Sequence, residues 1–489
     1  MSNLAITLFV IVTLPAGLFA QDPINTKKHQ VEEGLQPQGM IMNGSPAPLQ
    51  SLKDRMKARK VNGVSIAVID DGRITWADGY GIRDAGVPGD LVDTTTLFQC
   101  ASIGKTITAL AALHLVKEGR ISLDEPVNEK LSGWRIAENN KTTDKKVTLR
   151  TLLSHSSGFD DDYGFEGYYP HTTLPTLVQM LQSQPPANTH KSLVVRSVPG
   201  TVERYSGGGF LIIQQLIEDL TGVPFDRYVD SIVFKPLQMK HTTFTHYPDE
   251  TLGWPIARGH DGKGKPDKKR KYMVYPEMAA AGPWTTPSDL ARFVLELQQE
   301  YHGLSNLIAD SSLVRQMLSP QINTTGLGVH LKGSGEVAAF WHSGNTAGYT
   351  GFLFGTLDGK GAVVLTNSDA GEWLGIEVIR SVADIYAWPA MQTRHLKATT
   401  DNTYAKFSGT YSKGKTRVVI GKNGDGLFLD IGNDKKVFTL YEESDNSFLI
   451  KEKPDHLRLT FDSTPDGVVS AINVFQDCGT VVVSLPKVQ

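Results

Sequence analysis

Val64-Ser65-Ile66-Ala67-Val68-Ile69 and Arg73 to Gly81 flank Asp70-Asp71-Gly72, and two strand-like runs around an Asp-Gly turn predict a β-hairpin. The runs that follow have the helical period: Lys105 to Lys117, Leu174 to Gln182, Phe210 to Leu220, Ser288 to Leu297 and Trp373 to Tyr386, several bounded by Gly or by Ser/Thr caps. Strand-like segments return at Val337 to Trp341, Gly351 to Gly355 and Ala362 to Leu365. Strands first and last with helices between predict an α+β fold, an antiparallel sheet joined from both ends and carrying a helical lobe.

After Pro389 the character changes. Thr416 to Ile420, Leu427 to Ile431, Lys436 to Leu440, Phe448 to Lys451, Leu457 to Phe461, Val468 to Phe475 and Thr480 to Leu485 read as short strands separated by turn residues, which predicts a small all-β barrel over 403–489. The main domain is placed at 48–389, with 390–402 as a linker. Residues 21–47 are polar, rich in Gln, Gly and Pro and without sustained period, and are read as an arm or linker. Leu4 to Phe19 is apolar and is followed by Ala20-Gln21-Asp22, which reads as a signal peptide over 1–20 and sends the mature chain to the periplasm or outside. An uncleaved N-terminal anchor is the alternative. No cysteine follows the apolar run to accept lipid and no later stretch is long enough to span a bilayer, so no stable membrane anchor is expected.

With 489 residues and a formal charge of −3, nothing argues electrostatically for a nucleic-acid partner, and the basic cluster Lys263 to Lys271 reads as a solvated loop. Cys100 and Cys478, the two cysteines, read as independent buried thiols.

Chemistry concentrates in a few runs. Ser102-Ile103-Gly104-Lys105 leads into the first helix after the hairpin, and residues three apart share a helical face, so hydroxyl and amine can meet. Pro199 to Gly209 carries Tyr205 on a turn-rich stretch ahead of an apolar helix, where a neighbouring ammonium such as Lys105 would make the phenol a useful proton carrier. In Trp341 to Gly351 an apolar strand ends in His342-Ser343-Gly344, one wall of a cleft. Leu152 to Phe159 reads as a helix end capped by glycine, and Ala279 to Leu290 is a further small-residue run. Gly104-Lys105-Thr106 matches the end of a phosphate-binding loop, but Gln99 stands where that motif needs glycine. Asp160-Asp161-Asp162 and the scattered histidines lack metal-ligand spacing, so neither metal nor cofactor is expected.

Taken in order, Ser-x-x-Lys, Leu-Leu-Ser-His-Ser-Ser-Gly, Tyr-Ser-Gly, Trp-Thr-Thr-Pro-Ser-Asp-Leu and His-Ser-Gly, the chain resembles the β-lactamase-related serine hydrolases over roughly Leu49 to Ala387. That family includes class C β-lactamases, penicillin-binding proteins, D-amino-acid peptidases and esterases. The resemblance implies that Ser102 is acylated, that Lys105 helps deprotonate it and that Tyr205 relays the proton. It also implies an oxyanion hole from the backbone amides of Ser102 and Asn345, with Gln99, Gly207, His342 and Gly344 lining the substrate site. Tyr404 to Tyr411 opens a segment similar to the lipocalin-like barrels appended to some of these hydrolases.

Two departures bear on substrate. Gly207 stands where many members carry an asparagine that holds the substrate amide. His342 replaces the lysine of Lys-Thr-Gly and, with a reference pKa of about 6.5, is mostly neutral at pH 7 unless its site favours the cation. The expected substrates are small-molecule esters or D-amino-acid-containing peptides, with β-lactam turnover as the alternative. A non-turnover penicillin- or cell-wall-peptide-binding protein is the reading from another class. Self-association and the role of the barrel stay open.

Overall fold

Six strands form one antiparallel sheet: β1 (Gly63–Asp70), β2 (Arg73–Gly81), β3 (His330–Lys332), β4 (Ala339–Thr346), β5 (Tyr349–Thr356) and β6 (Gly361–Thr366). Their spatial order is β2-β1-β6-β5-β4-β3. The computed structural model describes residues 22–488 apart from 46–47, 160–164, 190, 334–337, 389, 432–436, 445, 451–457 and 476–480. β1 pairs with β2 across the Asp71-Gly72 turn and with β6 on its other edge, Val64 opposite Thr366, so both ends of the domain meet in the sheet. Val64, Ile66 and Val68 enter one hydrophobic core and Ala67 and Ile69 the other, the period of two expected of a strand buried on both faces.

The helices that matter for the site and its support are α1 (Pro23–Glu33), α2 (Gly104–Lys117), α3 (Gly207–Thr221), α4 (Met278–Ala281), α5 (Pro287–His302) and α6 (Glu372–Ile385). α5 contributes Leu290, Phe293, Val294 and Leu297 to the larger core, together with the apolar residues of α2 and α3. α6 covers the opposite face with Leu374, Val378 and Val382. Buried Glu377 of α6 accepts a two-pronged hydrogen bond from Arg55, 2.8 Å at each oxygen, which fastens the start of the domain to its end.

Residues read as an arm are folded. Asp22 caps α1 by accepting from the Ile24 amide at 3.0 Å, Pro23 occupies the first helical position, and Val31 and Leu35 are buried in the core beneath α6. Met40–Met42 pairs in parallel with Arg394–Leu396, so the arm and the linker of the sequence reading form a small sheet with each other. One apolar pair four residues apart suffices at the edge of an existing core, yet it is too short to register as periodicity.

The C-terminal strands close into an antiparallel barrel: β7 (Gly409–Lys413), β8 (Thr416–Asn423), β9 (Gly426–Asp430), β10 (Val437–Ser444), β11 (Ser447–Ile450), β12 (Arg458–Ser463), β13 (Val469–Phe475) and β14 (Val481–Val488). Sequence patterning located every strand but β7, of which only Tyr411 is buried. Phe407, Tyr411, Phe448 and Phe461 pack ring against ring inside. The barrel is tied to the preceding segment by reciprocal backbone bonds between Lys397 and Glu442. The signal-peptide residues, Asp160 to Asp162 and Cys478 lie outside the described residues, and Cys100 is a buried free thiol. Among the described residues no helix is long and apolar enough to cross a membrane.

Leu35→Ala is expected to lower unfolding free energy by about 2–5 kcal/mol, as cavity-forming core truncations do. Urea denaturation checks this, and a loss under ~0.5 kcal/mol would show that the N-terminal segment is not part of the core.

Candidate active site

The chain reaches Ser102 through a strained turn. Phe98–Gln99 pairs with Trp284–Thr285, the Cys100 amide donates to the Pro283 carbonyl at 3.1 Å, and Ala101 takes the left-handed conformation at φ 51°. Ser102 is half-buried just ahead of α2, whose first turn carries Lys105. Lys105 Nζ lies 3.0 Å from Ser102 Oγ and donates to the Ala280 carbonyl of α4 at 2.7 Å, with the lysine 2% exposed. Thr108 also reaches α4, donating to the Ala279 carbonyl at 3.0 Å. The small-residue run that had no assigned role is therefore the socket of the lysine. A Cβ on Gly104 would come within 2.8 Å of the Pro283 ring, which shows how closely α2 sits on that socket.

Tyr205 is held from beneath by His155. The helix expected to end at a glycine cap ends instead at Leu153, and His155 turns left-handed at φ 56°, ahead of Gly158. In that conformation its carbonyl accepts from the Arg204 amide at 2.7 Å and its Nδ1 accepts from the Ser206 amide at 3.0 Å. Both neighbours of Tyr205 are thus bonded to one residue, and the His155 ring packs on the phenol ring with centroids 4.3 Å apart. Lys105 Nζ stands over the other partner of this stack, 4.9 Å from the Tyr205 centroid, a cation–π distance.

β4 forms the opposite wall. His342-Ser343-Gly344 lies inside this strand, which runs on to Thr346 in register with β5. A Cβ on Gly344 would fall 2.1 Å from the Cys100 carbonyl oxygen, so glycine lets the strand backbone press against the turn that carries Ser102. Asn345 follows, exposed. His342 Nδ1 is 2.6 Å from the Ser343 carbonyl, and its buried Nε2 has no hydrogen-bond partner among the described residues. Burial, then His330 and Lys105, hold its pKa well below the ordinary imidazole value, so His342 is neutral and supplies no cation for a substrate carboxylate. Burial likewise depresses His155, with Lys105 acting in the same direction, and lowers His330 of β3, whose ring lies 6.5 Å from that of Tyr205.

Two candidates take other work. Gln99 is buried and spends its amide on bracing, donating to the Met273 carbonyl at 2.7 Å and accepting from Thr346 at 3.4 Å. Gly207 to Gly209 form the first turn of α3, with Ser206 as cap accepting from the Gly209 amide at 3.0 Å, and are not a turn ahead of the helix. Sequence reasoning gave no part to Ala280, His155 or His330. A carbonyl leaves no trace in residue identity, and a left-handed histidine has no local signature.

Glu277, at the head of α4, is fully buried and neither carboxyl oxygen has a hydrogen-bond partner among the described residues. Burial pushes its pKa up to about 8, so the acid is neutral at pH 7. The unfolded chain releases that proton in the ordinary carboxyl range, so stability falls as pH climbs from there through about 8. The depressed histidines act oppositely: stability rises with pH until the unfolded imidazoles lose their protons near ~6.5. Thermal melts of Glu277→Gln should show a shallower loss of stability between pH 6.5 and 8.5 than the parent. Part of the slope stays with Glu300, pushed up to about 7 by burial. Parallel curves for parent and variant would place the Glu277 proton elsewhere.

Comparison with known proteins places this geometry. The β-lactamase family model matches residues 50–387. The chain is 29% identical over 327 residues to Penicillin-binding protein 4 of Amycolatopsis lactamdurans, covering 63% of this chain and 81% of that protein. It is 26% identical over 327 residues to a putative D-alanyl-D-alanine carboxypeptidase of Salmonella enteritidis, covering 60% and 74%. The curated relatives are matched over 57% to 81% of their own lengths. Among solved structures, the octameric penicillin-binding protein homologue from Pyrococcus abyssi superimposes with a TM-score of 0.58 at 22% identity, covering 89% of this chain and 98% of that one. That likeness shows the fold.

Proposed function

Because the chain belongs to the β-lactamase family, with Ser102, Lys105, Tyr205 and His342 all inside the matched residues 50–387, we propose that it is an exported serine hydrolase acting through an acyl-enzyme on Ser102. One observation carries this reading: a water-excluded lysine amine 3.0 Å from the hydroxyl of a serine presented by a left-handed turn.

In the proposed reaction Ser102 Oγ attacks the acyl carbonyl as the Lys105–Tyr205 pair takes its proton. The developing oxyanion lies between the amides of Ser102 and Asn345. A removed donor of this kind typically costs about 10²- to 10³-fold in rate. The leaving alcohol or amine recovers the proton, and a water activated by the same pair releases the acid. Esters or D-configured peptides are the favoured substrates, because position 207 brings no amide-binding side chain and His342 is neutral. The carboxypeptidase relative supports the peptide branch, and the penicillin-binding relative supports β-lactam turnover as the second reading. Export rests on the apolar run Leu4 to Phe19, and a mature N-terminus at Gln21 in the exported fraction is the expected result. The octameric homologue supports self-association, which sedimentation reads directly.

Initial rates on p-nitrophenyl butyrate, a D-alanyl anilide and a chromogenic cephalosporin test the reading. Ser102→Ala should lower turnover by at least about 10³-fold, and Tyr205→Phe by about 10²- to 10⁴-fold. Equal rates in Ser102→Ala and parent would remove Ser102 as nucleophile. A parent that acylates with penicillin but turns over none of the three would be a binding protein.

A further inference from the structure

The basic run Lys263 to Lys271 contributes one wall of a cavity of about 250 Å³, and Asp369 and the Ala347-Gly348 turn that follows β4 contribute others. Ser102, Lys105, Tyr205 and His342 are not among its lining residues. Two of its cations are already paired, Arg270 with Asp267 at 3.2 Å and Lys271 with Asp249 at 3.2 Å. Three charges are left over: Lys265, Asp261 and Asp369 line the same cavity and form no ion pair among the described residues. One oxygen of Asp369 accepts from the Gly348 amide at 2.5 Å, and one oxygen of Asp261 accepts from the Lys263 and Lys265 amides, each at 2.9 Å. The second oxygen of each carboxylate has no hydrogen-bond partner among the described residues. Partial burial raises the Asp369 pKa, the Gly348 amide lowers it, Asp261 raises it and Arg270 lowers it, so charges of both signs reach this carboxyl.

We infer that this cavity is a second binding site, separate from the serine, for a small zwitterion of the α-amino-acid class, with its ammonium at Asp369 and Asp261 and its carboxylate at Lys265. Opposite charges that share a cavity without closing on each other leave room for a ligand carrying both. A plain anion would meet the two carboxylates, and a plain cation would meet Lys265 and Arg270. The volume lies below the roughly 300–1,000 Å³ of sites for drug-sized ligands, which suits a molecule of amino-acid size. The acceptor is also held in place. Gly348 takes φ 89°, and a Cβ there would fall 2.5 Å from the Gly259 Cα, so the turn that fixes Asp369 has little room to move. A ligand then binds a preformed carboxylate rather than one it must order.

Isothermal titration of the full chain with D- and L-valine tests this, with isobutylamine and isovalerate as analogues that keep one charge each. At least one enantiomer should bind, and each analogue should bind about tenfold more weakly or worse. Asp369→Asn keeps an oxygen for the Gly348 amide and removes the charge, so it should raise the Kd of valine about tenfold or more and leave isovalerate no weaker. Lys265→Met should weaken valine and isovalerate and spare isobutylamine. Ser102→Ala should bind valine as the parent does. No heat from either enantiomer at its solubility limit overturns the inference, as does an analogue that binds as tightly as valine or a valine Kd unchanged in either charge variant. Valine binding lost in Ser102→Ala would place the ligand at the serine and overturn it as well. The inference does not rest on the hydrolase reading, which ester turnover by Ser102→Ala would sink on its own.

Discussion

A lysine amine 2% exposed, with a hydroxyl and a carbonyl as its bonded neighbours, is the interaction around which the rest is arranged. Taking such a group out of water is costly unless its protons find acceptors. Here Ala280 supplies the fixed acceptor, the Tyr205 and Phe210 rings lie within 4.9 and 5.6 Å, and no carboxylate forms an ion pair with Lys105 among the described residues. A carboxylate would hold the amine more tightly and compete with Ser102 for its protons. A carbonyl anchors the chain end without neutralising it, and Glu277, kept neutral by burial on the same short helix, avoids adding a charge.

The histidines follow from the same constraint. His155, His330 and His342 stand around Tyr205 and Lys105, and each is held in its neutral form by burial with Lys105 adding to the effect. Neutral imidazoles accept hydrogen bonds and pack as flat rings, which is how His155 uses Nδ1 on the Ser206 amide and its face on Tyr205. The pocket therefore positions a tyrosine and a lysine without introducing a competing cation.

What could be read from residue order was whatever repeats or recurs at fixed spacing. The alternation through β1 and the three-residue interval between Ser102 and Lys105 are such patterns, and the structure places each as expected. An antiparallel sheet joined from both ends and most of the barrel strands came through for the same reason, whereas the short strand His330–Lys332 did not. Lys265 and Asp369 stand far apart in the chain and meet only at one cavity, so neither carries a local sign of the other. α1 escaped notice because its burial depends on a core assembled from α6, a dependence that no window around residues 23–33 can contain.

Joining the sheet from both ends also sets a timetable. β1 emerges about 300 residues before β6, the strand that covers its free edge, and β4, which presses on the turn carrying Ser102, comes almost as late. Until that point the hairpin β1–β2 has an open edge and Ser102 has no opposing wall. A nascent chain thus carries Ser102 and Lys105 without the strand that faces them: the pocket around the serine comes into being only when nearly the whole domain has emerged and folded.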